Sequence, residues 1–293
     1  MATYTPINLP YFAPAPVPLP TYNEIVALAN QASSEILVRK LERDIIKIGE
    51  HFVVKYGKEI DFVEGENMLL VRQYTSISTP TLYAMYQHEP SGDKVIIMEY
   101  VAGELLHNCY GKLDAEQKAS IGAQLRWQLS ELRNIPSPGF YGLPDGRPYL
   151  AHAWTFKTHV GPFDSASDFL DAYFSAQFSK AGRLGHPKIE NLKSQFVELS
   201  KNHNAPVFTH ADLHAQNIIL RKDGSICIID WESASFCPEY FEFFFNGTYS
   251  MASSGLSESD RDPILEYAKM VYLIINVWNT YKAIVSSGRQ SRW

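Results

Sequence analysis

Cysteine is scarce: three among 293 residues, Cys109, Cys227 and Cys237, with no Cys-x-x-Cys spacing and an odd count under any pairing. That excludes a disulfide scaffold and a cysteine-built zinc site, and reads as small buried hydrophobes in a reducing compartment. Long hydrophobic runs are missing too. The longest apolar stretch, 270–278, is broken by Asn276 and falls far short of the roughly 20 residues that span a bilayer. Positive charge is in deficit, 26 Lys+Arg against 32 Asp+Glu for a net −6, which argues against nonspecific nucleic-acid binding, since that needs a net basic face. The N-terminus, Met1-Ala2-Thr3-Tyr4, has neither a basic cluster nor an apolar core, so no secretory signal is expected. Neither Gly-x-Gly-x-x-Gly nor Gly-x4-Gly-Lys-[Ser/Thr] occurs, so a kinase-type glycine-rich loop and a P-loop are both absent. No Gly-x-Ser-x-Gly elbow anchors a serine hydrolase. The expectation is a soluble, cytoplasmic protein with no nucleic-acid or membrane partner.

What is present is enough for a folded core: 45% hydrophobic and 13% aromatic residues in a length that suits one large or two modest domains. Six prolines (Pro6, Pro10, Pro14, Pro16, Pro18 and Pro20) crowd the first twenty residues and forbid a helix there. Thr21, with Glu24 three residues on, predicts an N-cap and a short helix to about Asn30. Short β-type runs follow at 35–38, 44–48 and 51–56, separated by charged or glycine-containing turns, which predicts an antiparallel meander. A helix is predicted over 62–73 and a buried strand over 94–100, ending at a glycine joint, Gly103. Beyond it the texture turns helical. Ile121, Leu125, Leu129 and Leu132 give 115–133 an amphipathic face, and further helices are expected at 166–180, 189–201 and 262–286. A proline- and glycine-rich loop covers 136–146, and short strands are expected near 207–208, 217–221 and 225–229.

The chemistry concentrates in Thr209-His210-Ala211-Asp212-Leu213-His214-Ala215-Gln216-Asn217, followed after the Asp223-Gly224 turn by Ile226-Cys227-Ile228-Ile229-Asp230-Trp231-Glu232. An Asp, an Asn five residues later, and a second Asp closing the next apolar strand project three oxygen-bearing groups from adjacent loops. Hard cations such as Mg²⁺ take oxygen ligands of this kind alongside substrate phosphates. A remaining carboxylate can accept a proton from an attacking hydroxyl.

His210-x-Asp212-x4-Asn217, with a strand ending in Asp230, resembles the motif of the aminoglycoside phosphotransferase family and its choline-kinase and protein-kinase-like relatives. The resemblance spans roughly residues 35 to 250. It implies an α+β, protein-kinase-like two-lobed fold with an antiparallel-sheet N-lobe and a mainly helical C-lobe. The parts would be a proline-rich strap and short helix (1–30), the N-lobe (31–98), a hinge (99–103) and the C-lobe (104–293). Asp212 would be the catalytic carboxylate, His210 would orient its loop, and Asn217 and Asp230 would hold Mg²⁺. Lys55, in Val53-Val54-Lys55, would contact the nucleotide phosphates. Glu66 would pair with that lysine in preference to Glu64, and main-chain groups of Glu99 and Val101 would meet the adenine. The implied reaction is transfer of the γ-phosphoryl group of ATP, with GTP left open, to a hydroxyl of a small polar molecule. His214 and Asp230-Trp231-Glu232 stand where protein kinases place Lys and Asp-Phe-Gly, which favours the small-molecule branch over a protein kinase.

Other readings stand beside it. His210, Asp212 and His214 alternate as a zinc hydrolase's ligands could, and the missing glycine loop suits a degenerate kinase-like binding or scaffold protein. For a cationic acceptor, Glu232, Glu239 and Glu242 are candidate partners. Trp231, Phe236, Tyr240, Phe241 and Phe243 to Phe245 would form either an aromatic wall for it or an ordinary buried helix.

Overall fold

The structure is a computed structural model describing residues 3–31, 35–40, 42–150, 159–179, 194, 197 and 204–242. The helix expected over 189–201, apart from two positions, and the whole of that over 262–286 lie outside the described residues. In chain order the elements are β1 (Tyr11–Phe12), α1 (Tyr22–Ala29), β2 (Ile36–Lys40), β3 (Arg43–Ile48), β4 (Phe52–Gly57), α2 (Val63–Tyr74), β5 (Leu82–His88), β6 (Asp93–Glu99), β7 (Glu104–Leu105), α3 (Leu106–Cys109), α4 (Ala115–Leu132), β8 (Tyr149–Leu150), β9 (His159–Val160), α5 (Ala166–Ser179), β10 (Pro206–Thr209), β11 (Ile218–Leu220), β12 (Ile226–Ile228) and β13 (Ser235–Pro238). Two compact units divide them. One holds Tyr4–Ile135 and Leu213–Ala234; the other holds Met1–Thr3, Pro136–Asp212 and Ser235–Trp293. The division therefore falls at Ile135/Pro136, with α4 and the β11–β12 hairpin in the first unit, whereas the expected lobe boundary lies at 99–103.

The first unit is organised by a six-stranded antiparallel sheet in the order β1-β5-β6-β4-β3-β2. Alternation along β4 explains its two faces, since successive side chains of a strand point to opposite sides. Phe52 and Val54 join Ile25 and Ala29 of α1, Ile46, Tyr83, Ala84, Val95 and Ile97 in one buried cluster. Lys55, one residue on, belongs to the opposite parity. α1 opens as its sequence predicts: Thr21 accepts from the Glu24 amide at 3.3 Å, and the Glu24 carboxylate accepts the Thr21 amide at 2.7 Å. α2 lies close against β5, because Gly65 has no side chain: a Cβ there would meet Met85 Sδ at 2.7 Å.

β5 carries no expected element, since Leu82, Tyr83, Ala84 and Met85 are all buried and show no alternation. Its outer neighbour comes from the proline-rich segment. Tyr11 and Phe12 pair with Met85 and Ala84, and the Ala13 amide donates to Tyr83 O at 2.8 Å. Pro10 and Pro14, which have no amide to donate, bracket this two-residue edge strand.

β11 pairs with β12 and with β7 to give a three-stranded sheet in the same unit. Gly103 serves close approach in this region: a Cβ would lie 2.5 Å from both Leu220 O and Ile219 Cγ2. In the second unit β10 pairs with β13, and β8 with β9. Its core is aromatic. Phe241 meets Phe169 and Tyr173 edge-on at 5.1 and 5.5 Å between ring centroids, and Phe208 meets Phe236 at 5.3 Å. Phe236, Tyr240 and Phe241 are thus core residues rather than an exposed wall, and Phe243 to Phe245 lie outside the described residues. Cys109, Cys227 and Cys237 are buried free thiols. Among the described residues, no helix is long and apolar enough to cross a membrane.

The approach of Gly103 to a backbone carbonyl generates a test. Gly103→Ala places a methyl group where only the chain itself can give way, and it is expected to destabilise the fold by about 1–3 kcal/mol. Equilibrium denaturation measures this; an unchanged midpoint would show that the two segments separate without cost.

Candidate active site

Lys55 sits in the first unit with its ammonium enclosed. Its Nζ donates to Glu64 at 2.9 Å to Oε1 and 2.7 Å to Oε2, and to Asp230 Oδ1 at 2.7 Å. Burial alone would pull its pKa down, but Asp230 and then Glu64 outweigh that and hold the ammonium above its ordinary range. The partner on α2 is therefore Glu64, which corrects the expectation for Glu66. The reason is helical geometry. At about 100° per residue, positions two apart face opposite ways, whereas Glu64, Asn67, Met68 and Val71 share one face at i, i+3, i+4 and i+7. Those four are buried, and Glu66 is only partly so. A glutamate aligned with an apolar stripe is a readable signal, since a carboxylate at such a position needs a cation.

Asn67, one turn beyond Glu64, was not anticipated either. It is buried, and its Nδ2 donates to the carbonyl oxygens of Trp231 at 2.9 Å and Ala234 at 2.8 Å. These carbonyls belong to the turn that follows Asp230, whose backbone holds φ 65°, a left-handed conformation rare for a side-chain-bearing residue. Trp231 stabilises the same turn, fully buried with its Nε1 donating to Ile228 O at 3.0 Å. α2 and the Asp230 turn are thus joined twice, through an ion pair and through a neutral amide.

Arg43, at the start of β3, completes the cluster by pairing with Glu232: Nη2 to Oε2 at 2.6 Å and Nη1 to Oε1 at 3.1 Å. Among the described residues, the group of three or more His, Cys, Asp or Glu ligand atoms that converges is Glu64, Asp230 and Glu232, whose oxygens lie within 4.8 Å of one another. An all-oxygen donor set suits a hard cation such as Mg²⁺ better than zinc, whose sites draw mainly on His and Cys. Asn217 is buried in the 3₁₀ turn Ala215–Asn217, which His214 caps by accepting the Gln216 amide at 3.2 Å. Its Nδ2 lies 3.5 Å from His214 Nε2. At the end of β6, the Glu99 amide donates to Thr81 O at 2.8 Å, and its carboxylate accepts from the Thr81 amide and hydroxyl. Val101 is buried just beyond the strand end.

The remaining two expected residues belong to the second unit. His210 is fully buried, and its Nδ1 accepts the Asp212 amide at 3.3 Å. Asp212 itself is partly exposed. Between them Ala211 takes φ 63°. That strained backbone is held by Glu242, whose Oε2 accepts the amides of His210 at 2.8 Å and Ala211 at 3.3 Å. Of the three carboxylates expected to meet a cationic acceptor, Glu242 accepts backbone amides through Oε2, Glu232 pairs with Arg43, and Glu239 is partly exposed.

Residues 64–270 match the family model described as the phosphotransferase enzyme family. The chain belongs to that family. Solved structures agree on the fold. Aminoglycoside phosphotransferase APH(4)-Ia is 14% identical over 91% of each chain, with a TM-score of 0.53. A thermostable mutant of that protein in ternary complex with ADP and hygromycin B is 13% identical over 91% of each chain, at 0.55. ADP-bound aminoglycoside phosphotransferase APH(2'')-Ib is 16% identical, covering 87% of this chain and 95% of its own, at 0.50. No curated protein matches the chain significantly. The fold is thus the α+β, kinase-like fold of the aminoglycoside phosphotransferases, and the chain is a member of a phosphotransferase family.

The Glu64 carboxyl is pushed up to about 7, chiefly by burial; Lys55 pulls it back, while Asp230 and Glu232 add repulsion. A carboxyl raised in this way binds its proton more tightly folded than unfolded. Its contribution to stability is complete below about 4.5 and is lost as pH rises towards about 7. Without divalent cations, wild type is expected to lose roughly 1–3 kcal/mol more stability across that window than Glu64→Gln. Urea denaturation at a series of pH values measures the difference, and parallel profiles would show that Glu64 titrates as an ordinary carboxyl.

Proposed function

We propose that this member of the family transfers the γ-phosphoryl group of ATP to a hydroxyl of a small polar molecule. The observation that carries the reading is the enclosed Lys55 ammonium, shared between Glu64 and Asp230, in a chain that also presents the Asp212 carboxylate on a loop fixed by His210 and Glu242. Phosphoryl transfer asks little covalent chemistry of a protein and much positioning of charge, which is what these residues supply.

In this reading Lys55 neutralises the nucleotide phosphates, kept in place by Glu64 and Asp230. Asp230 and Asn217 would hold Mg²⁺, which when bound offsets the charge of the phosphate oxygens. The Asp212 carboxylate orients the acceptor hydroxyl and takes its proton as the oxygen attacks. Buried Asn67 keeps the Asp230 turn against α2, so that lysine and carboxylates stay in register. Main-chain groups at Glu99 and Val101 would meet the base, and comparison of ATP with GTP tests which base is preferred. The names of the similar structures, including one with hygromycin B, make polyhydroxylated amino sugars the first acceptors to try. Dependence on a nucleotide triphosphate pool goes with a cytoplasmic location.

Asp212→Ala is expected to lower turnover by about 10²–10⁴-fold while Mg·ATP affinity stays within a few-fold of wild type, measured by ADP release and by calorimetry. A variant that phosphorylates its acceptor at an undiminished rate would sink the assignment. Nucleotide binding by wild type, with no transfer to any member of a hydroxyl-metabolite and aminoglycoside panel, would instead favour the binding or scaffold reading.

A further inference from the structure

The hairpin that should cover the phosphates has no glycine anywhere from Ile36 to Ile48. It therefore lacks the permissive backbone with which glycine-rich loops lay amide groups on phosphate oxygens. What it offers instead is Arg43, the residue that begins β3 directly after the turn. Its side chain is 12% exposed and its guanidinium engages both oxygens of Glu232, at 2.6 and 3.1 Å. Its Nε is buried with no hydrogen-bond partner. Glu232 lies two residues beyond Asp230, and Arg43 feels the charges of Asp230 and Glu64 as well. The second cation of the cluster thus stands beside the Lys55 ammonium.

We infer that Arg43 is the phosphate-recognition residue of this chain, and that Glu232 occupies its guanidinium fork when no nucleotide is bound. The inference rests on the nucleotide reading given above and assigns it a residue. Three points carry it. A carboxylate and a phosphate present the same pair of oxygens to a guanidinium, so one can replace the other without rebuilding the site. Lys55 shares its ammonium between two carboxylates, and beside it Arg43, paired among the described residues with Glu232, has an Nε hydrogen to spare among its five donors. A half-buried ion pair is moreover a poor device for stability alone, because desolvation offsets most of its attraction. On nucleotide binding Arg43 exchanges Glu232 for phosphate oxygens, and the guanidinium side chain does the work that backbone amides do in a glycine-rich loop.

The test measures binding without turnover. Calorimetric titrations with Mg·ADP and with adenosine are run on wild type, Glu232→Gln, the double variant R43Q/E232Q, and Arg43→Lys. Circular dichroism and thermal melting establish that each is folded. Relative to Glu232→Gln, the double variant is expected to bind Mg·ADP about 10–100-fold more weakly with adenosine affinity unchanged. In the absence of Mg²⁺, Glu232→Gln alone binds ADP at least as tightly as wild type. Arg43→Lys, which keeps the charge and loses the fork, falls in between and carries the test if the double variant does not fold. Equal Mg·ADP affinities with and without Arg43, or a parallel loss for adenosine, overturn the inference while leaving the nucleotide reading intact. A wild-type protein that binds neither ligand takes down both.

Discussion

An ammonium group cannot be enclosed in protein without anionic company, and the arrangement of the first unit follows from that constraint. Lys55 points to the face of the sheet opposite the α1 cluster because Phe52 and Val54 claim the other parity. The cation then fixes which face of α2 must turn inwards. Glu64 lies in the first turn of that helix, where the backbone dipole also favours a negative charge. Gly65 lets the helix come close enough for the ion pair to form, and Asp230 reaches the same ammonium from a backbone held in a left-handed conformation. Sequence-distant segments are thereby drawn to one charge, in a unit whose hydrophobic faces would tolerate several other registers.

The second unit solves a different problem with the same economy of groups. The loop that carries Asp212 holds a shape the chain would not choose unaided, with Ala211 at φ 63°. Two consecutive amides donated to one buried carboxylate, Glu242, provide the restraint, and His210 adds a third contact through its Nδ1. The interlocked rings around Phe169, Tyr173 and Phe241 supply the rigid ground beneath, since Phe241 directly precedes Glu242. Strain at the functional loop is thus opposed by packing one residue away.

Much of this was legible in the residues, and the misses share a cause. The Thr21 capping box, the β2–β3–β4 meander, α2, β6 and α4 were all readable, because each depends on local pattern: a cap, an alternation, an apolar stripe. The order His210, Asp212, Asn217 and Asp230 stood out as a pattern, because those residue types have few other reasons to recur at that spacing. The Lys55 partner was misjudged because spacing along the chain was weighed above the face of the helix. β5 went unseen because a strand buried on both faces loses its alternation. Asn67, Arg43 and Glu242 were silent because their partners lie 164, 189 and 32 residues away along the chain. No local pattern records such contacts.

The two hydrogen bonds from Asn67 bear on how a ligand would be received. Helix, lysine and aspartate turn are coupled by a neutral side chain as well as by charge, so their alignment does not wait for a partner to arrive. Proteins that populate a competent arrangement only part of the time bind more weakly in proportion to that fraction. Here the ordering cost is met once, during folding, so affinity at this cluster would reflect the contacts themselves, undiluted by a prior conformational equilibrium.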